Sequence, residues 1–168
     1  REQVGYLAEH HMIPPYLSGL EYLMRQASLI GLSGRQMRTA VDRALETVSM
    51  SGEEKKKAAA YSKGMKQRIG LGAAILGRPQ LLILDEPAVG LDPIGIRQVR
   101  KVIENLRDSG VTVVLNSHLL SEVEKTCQTV AIMHNGKILI KDSIDSIIKD
   151  GQTLEDVFIR YVEKGDHL

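Results

Sequence analysis

The chain predicts an α/β fold, a parallel sheet core joined to a helical lobe. Three features carry that expectation: the apolar run Leu81–Leu84 that delivers Asp85 and Glu86, the strand–helix–strand unit from Leu81 to Leu115, and the capped amphipathic segments between Ser18 and Val48. Four consecutive apolar residues without alternation describe a strand covered on both faces, as in parallel sheets. A strand, a helix and a second strand in this length require parallel pairing and a right-handed crossover.

Each element has a local reason. Ser18 and Glu21 make a capping box, Leu20, Leu23, Met24 and Ala27 share one helical face, and Gly31 ends the run. A second box, Ser33 with Gln36, opens a helix whose stripe is Met37, Val41, Ala44, Leu45 and Val48. Ser51 to Lys57 has no apolar periodicity and reads as an exposed connector. Ser62 is an N-cap for a helix carrying Ile69, Ala73 and Leu76, which Gly77-Arg78-Pro79 stops. The strand from Leu81 to Asp85 follows. Asp92 and Pro93 start the next helix, with Ile96, Val99, Ile103 and Leu106 on one face and Gly110 at its end. Val111 to Leu115 is a further strand. Asn135-Gly136 between Thr129–Met133 and Lys137–Lys141 is a hairpin signal, and two amphipathic stretches, Ile144 to Ile148 and Leu154 to Val162, close the chain.

Composition bounds the function classes. A 168-residue chain with 43% hydrophobic content builds a compact core, which excludes disordered and fibrous classes. Twenty-two basic against 21 acidic side chains leave a formal charge of +1, so no basic field draws the protein to nucleic acid, and a nucleic-acid partner is not expected. The single cysteine, Cys127, excludes an intramolecular disulfide and suits a reducing compartment. Without a long apolar run or a signal-like N-terminus, a cytoplasmic location is expected. The organisation read from the sequence is a helical subdomain over 1–80, an α/β core over 81–141 and a C-terminal helical segment over 142–168.

Ligands of open parallel sheets sit beyond the carboxyl ends of the strands, which places Asp85 and Glu86 there, along with Ser117 and His118 after the neighbouring strand. An Asp directly after a buried strand can hold hydrated Mg²⁺, and a Glu beside it can orient or deprotonate a water in phosphoryl transfer. His118 can contact a terminal phosphate oxygen. Each alone is also a common strand-end or loop residue; their joint appearance at two strand ends is what selects nucleotide chemistry. The tandem His10-His11 is not a metal pair, because neighbours on an extended segment point opposite ways and no cysteine or acidic partner is spaced for chelation.

These residues resemble the nucleotide-binding domain of ATP-binding cassette (ABC) transporters, in order and over nearly the whole chain. Tyr61-Ser62-Lys63-Gly64-Met65-Lys66-Gln67-Arg68 is similar to the signature motif in an exporter-type variant, and Leu81 to Glu86 to the Walker B strand. Gly90-Leu91-Asp92 resembles the D-loop, Asn116-Ser117-His118 the switch-histidine loop, and Val4 to Glu9 the Q-loop strand. The resemblance implies a P-loop NTPase-like core with ATP and Mg²⁺, Asp85 on magnesium, Glu86 as general base and His118 as phosphate sensor. It also implies that Ser62, Lys63 and Gly64 face the γ-phosphate held by a partner domain, since a helix start favours phosphate. The active unit would then be a head-to-tail dimer of two such domains, attached to transmembrane permease subunits on the cytoplasmic face. Asp92 joins that set as the D-loop acid.

Four departures accompany the resemblance. Glu9 stands where a glutamine is usual, Lys63 replaces a glycine and Met65 a glutamine. The fourth is an absence: no Gly-x-x-x-x-Gly-Lys-Ser/Thr stretch occurs, and the one Gly-Lys pair, Gly136-Lys137, lies in the hairpin turn. That loop cradles the β- and γ-phosphates. The expectation is therefore a C-terminal portion of a longer domain, incomplete at the N-terminus, inactive alone, with an open sheet edge and exposed apolar surface. The alternative is a non-catalytic module that docks on a membrane subunit or a complete ATPase. ABC-type ATPases of chromosome machines fit less well, because only some fifty residues separate the Q-loop region from the signature and no sustained heptads appear.

Overall fold

The computed structural model describes residues 4–149 and 151–165, and the chain divides into two compact units between Asn116 and Ser117. The boundaries drawn from the sequence lie at 80/81 and 141/142. In the first unit, β1 (Val4–Leu7), β2 (Leu81–Asp85) and β3 (Thr112–Asn116) form one parallel sheet in the order β1-β2-β3.

The register aligns Leu7 with Leu84, Leu84 with Leu115 and Asp85 with Asn116. Leu7, Leu82 and Leu84 are buried in the core shared with α3 (Lys63–Ala74) and α4 (Pro93–Asp108). Val99, Val102, Ile103 and Leu106 of α4 join them, each such side chain stabilising the fold by about 1.5–3 kcal/mol. The alternate sheet positions are open: Val4, Tyr6 and Val114 are 49%, 58% and 50% exposed, which is the exposed apolar surface expected from the sequence. β3 begins one residue later than the apolar run suggests, because Val111 closes the end of α4 by donating its N–H to Leu106 O.

The helical lobe comprises α1 (Gly19–Leu29) and α2 (Gly34–Thr47) packed on α3. The capping box at α1 is present, with Ser18 N donating to Glu21 Oε2 at 2.7 Å and Glu21 N to Ser18 Oγ at 3.1 Å. The Ser18 backbone N–H, then Lys57, hold the Glu21 carboxyl down from its ordinary 4.5 to about 2. α1 ends in a Schellman motif, Gly31 N to Ser28 O and Leu32 N to Ala27 O. α2 ends the same way with Ser49 in the left-handed position, φ 53°. The connector from Ser51 is exposed as expected, yet its backbone is knit to α1 through Leu20 N–Glu54 O, and the residue after it to the chain before α1 through Ala58 N–Leu17 O, both 2.8 Å.

One local expectation does not hold. Ser33 precedes α2 without a side-chain capping bond, because the chain enters the helix through Gly34 at φ 53° and Ser33 Oγ is not presented to Gln36 N–H. α3 ends before Gly77-Arg78-Pro79 as expected, and the left-handed residue of that stop is Arg78 at φ 52°. Arginines compensate at these ends: Arg43 of α2 donates to Leu76 O beyond α3 at 3.0 Å, and Arg68 of α3 donates to Ser49 O beyond α2 at 2.7 Å. Each helix thus supplies a cation to the other's negative end.

The second unit contains α5 (Leu120–Thr126), the antiparallel pair β4 (Thr129–His134) and β5 (Lys137–Ser143), the single turn α6 (Ile144–Ile147) and α7 (Leu154–Gly165). Asn135 and Gly136 both have positive φ, 47° and 74°, as a two-residue hairpin turn requires. Val123, Ile132, Ile147, Leu154 and Val157 form its buried interior. Among the described residues no helix is long and apolar enough to cross a membrane.

Candidate functional site

The carboxyl ends of β1 and β2 carry Glu9, Asp85 and Glu86, and β3 ends on Asn116 beside them. Asn116 Nδ2 donates to Asp85 Oδ1 at 2.7 Å, so one carboxylate oxygen is oriented by the neighbouring strand. The ladder continues one residue further, with Glu86 N donating to Asn116 O at 2.9 Å, before Glu86 turns the chain at φ 49°. A non-glycine residue in that region costs about 1 kcal/mol and is retained where the turn aims a side chain that function needs. Both acids are half-buried. Glu9, two residues past β1, lies 3.4 Å from His10 Nδ1, an ion pair only when that histidine is protonated.

The start of α3 is built with equal care. Ser62 caps it, accepting from Met65 N at 3.2 Å. The preceding Tyr61 is buried, and its hydroxyl donates to Glu53 O at 2.9 Å while accepting Gly19 N–H at 3.2 Å. A single phenol therefore fixes the entry to α3, the connector and the first turn of α1. Exposed Lys63 lies with its ammonium over the α-carbon of Gly90, in the space a side chain there would fill. A Cβ on Gly64 would sit 3.9 Å from Gly95 Cα, so the first turns of α3 and α4 are neighbours. Asp92 caps α4, its Oδ1 accepting Gly95 N–H at 2.6 Å. Ser62, Lys63, Gly64, Gly90 and Asp92 are thus gathered at two adjacent helix starts, which present unpaired backbone N–H groups. Ser117 and His118 belong to the second unit, where Ser117 Oγ accepts Leu119 N–H at 3.1 Å and His118 O accepts Leu120 N–H at 3.1 Å.

Among the described residues no group of three or more His, Cys, Asp or Glu side chains could hold a metal ion. An all-protein cage is therefore not what this site offers. Magnesium that travels with phosphates needs only one or two carboxylates and keeps its waters. Asp85, with Oδ1 held by Asn116, fits that smaller demand.

His10 and His11 go to different partners: His10 is exposed beside Glu9, whereas His11 Nε2 lies 3.1 Å from Lys66 O in α3. The roles of His11, Tyr61 and the Arg43–Arg68 exchange are not visible in the sequence. One signal was available, since Gly70 within a helix implies close approach of another group.

A family model described as ABC transporter matches residues 1–89. Among curated proteins, the chain is 39% identical over 148 residues to the bacitracin transport ATP-binding protein BcrA of Bacillus licheniformis, covering 88% of this chain and 47% of that protein. It is 38% identical over 155 residues to an uncharacterised ABC transporter ATP-binding protein of Nostoc, 91% and 46% respectively, and 32% identical over 156 residues to the lantibiotic transport ATP-binding protein SrtF of Streptococcus pyogenes, 93% and 65%. The chain spans about half the length of the first two. A solved structure of the ATP-binding subunit of an ABC transporter superposes with TM-score 0.78 and 28% identity, over 96% of this chain and 69% of that one. A metal-chelate-type ABC transporter in an inward-facing conformation shares the fold at TM-score 0.78 and 18% identity, over 88% of this chain and 60% of that one.

Proposed function

Because the chain belongs to the ABC transporter family, we propose that it is the Walker B, signature and switch part of an ATP-binding subunit that couples ATP hydrolysis to transport. The observation that carries this reading is the parallel pairing of β1 with β2, whose carboxyl ends lead to Glu9 and to Asp85-Glu86, with Asp85 oriented by Asn116 at 2.7 Å. Asp85 holds the nucleotide's magnesium, with Glu9 as a further contact. The ion, when bound, offsets charge on the phosphates. Glu86 accepts the proton of the attacking water, a role supported by its place at the turn where β2 ends. His118 contacts the terminal phosphate.

Ser62, Lys63 and Gly64 serve a second nucleotide, held by a partner domain in a head-to-tail dimer, through the exposed start of α3. Asp92, which fixes the first turn of α4 beside them, sets the path of the intervening loop. Membrane permease subunits are the transport partners, and the subunit works on the cytoplasmic face. Export is the direction that the Tyr-Ser-Lys-Gly-Met form of the signature supports. Residues 1–168 contain no phosphate-cradling loop, so they hydrolyse no ATP by themselves.

The test uses a full-length protein carrying these residues together with a Walker A segment. Glu86→Gln retains ATP binding and lowers kcat by about 10²–10⁴-fold, the usual contribution of a general base. Wild-type turnover in that variant would dismiss the assignment.

A further inference from the structure

His11, half-buried beside α3, is a polar group that the reading above leaves without a task. Its Nε2 approaches the carbonyl of Lys66, one turn into α3, at 3.1 Å. A carbonyl only accepts, so Nε2 carries a proton, and the tautomer with one ring proton has its lone pair on Nδ1. That Nδ1 is buried and has no hydrogen-bond partner. The ring fits into α3 because residue 70 is glycine: a Cβ there would collide with His11 Nε2 and lie 2.7 Å from its Cδ2 and 2.8 Å from Leu7 Cδ1. A mid-helix glycine weakens a helix, and an orphaned lone pair is unfavourable. Filling the same notch with an alkyl side chain would avoid both penalties. What an alkyl side chain lacks is the donor.

Resting on the ATP-site reading, we infer that His11 is a positioning residue that fastens the segment leaving β1 to the signature helix. Glu9 lies two residues before His11, and Ser62 lies four residues before Lys66. The Nε2–H···O bond therefore ties the strand-end acid that faces one nucleotide to the helix whose tip faces another. With the tie in place, the two move together; without the donor, each is held only by packing.

Variants of the full-length protein with its Walker A segment separate this from simple space filling. His11→Phe keeps a ring in the Gly70 notch and removes the donor; His11→Gln places an amide N–H at about the distance of Nε2. We expect His11→Phe to lower kcat for ATP hydrolysis about tenfold with KM for ATP within about twofold, and His11→Gln to recover at least half of the loss. Equal kcat in wild type and His11→Phe, or equal losses in both variants, would overturn the inference. Gly70→Ala should act as His11→Phe does. If it fails to fold, the double variant His11→Ala/Gly70→Ala refills the notch and should fold with the low kcat of His11→Phe; wild-type kcat in it would also overturn the tie. Should wild type itself hydrolyse no ATP, the functional reading falls and amide hydrogen exchange decides the tie. Faster exchange at Ala8–Met12 in His11→Phe, by about tenfold, supports it, and unchanged exchange refutes it.

Discussion

Replacing Tyr61 by Phe removes one oxygen atom and should unsettle three segments at once. Gly19 N–H is among the first-turn donors of α1 that no helical carbonyl can reach, and the Tyr61 hydroxyl is its buried acceptor at 3.2 Å. Leaving a buried donor unpaired costs about 1–3 kcal/mol. Glu53 O, the other partner at 2.9 Å, is only part-buried and regains a bond from water, so its loss adds little. The expected destabilisation is about 2 kcal/mol, or roughly 4–8 °C in Tm for a chain of this size. The geometry supplies an internal control. A Cβ on Gly19 would lie 2.5 Å from the Tyr61 hydroxyl and 2.9 Å from Ile69 Cδ1, so Gly19→Ala is overpacked against the same oxygen. Deleting the hydroxyl relieves part of that clash. The double variant should be less destabilised than the sum of the two singles by at least about 0.5 kcal/mol. Urea denaturation of the four proteins measures the cycle. A Tyr61→Phe protein within 0.5 kcal/mol of wild type, or strict additivity, would refute the role given to this hydroxyl.

Two further outcomes follow from backbone and charge. Ser49→Gly relieves a left-handed residue at the end of α2, a gain of about 1–2 kcal/mol reduced by glycine's larger unfolded-state freedom. A net increase of about 0.5 kcal/mol in unfolding free energy is expected, and a decrease would argue that Ser49 holds that turn by other means. The Glu21 carboxyl is depressed in the folded state from 4.5 to about 2, so the stability it contributes is complete above 4.5 and declines as pH falls toward 2. Denaturation midpoints of wild type and Glu21→Gln should therefore differ at pH 6 and converge near pH 2; a difference independent of pH would contradict the capping box as its source.

What was legible in the sequence was local. Ser18 with Glu21, Ser62, Asp92 and the Asn135-Gly136 turn act on backbone groups within three residues, and all adopt the expected geometry. The β2 strand and its two acids were equally plain, because an unbroken apolar run can only be a covered strand or helix and Pro87 ends it. Less legible were the bonds that close long loops. Tyr61 reaches back 42 residues to Gly19, and His11 reaches forward 55 to Lys66, distances over which periodicity carries no information. Ser33 shows the reverse limit, since the right residue pair at the right spacing makes no cap when the preceding chain arrives from another direction. At Gly77-Arg78 the glycine was available, yet the left-handed turn falls on the arginine. The division after Asn116 was hidden for a similar reason, because β1 pairs with a strand more than seventy residues away.

The central claim is that the strand-end acids of one subunit and the α3 tip of another complete a single ATP site. Mixing two inactive full-length variants, Glu86→Gln and Ser62→Arg, tests it most directly. In a mixed dimer one site combines both lesions and the other combines intact Glu86 with intact Ser62. With random pairing, half the dimers are mixed and half their sites are whole, so roughly a quarter of wild-type ATP hydrolysis should return. Two variants that are inactive apart and stay inactive together would contradict the shared site.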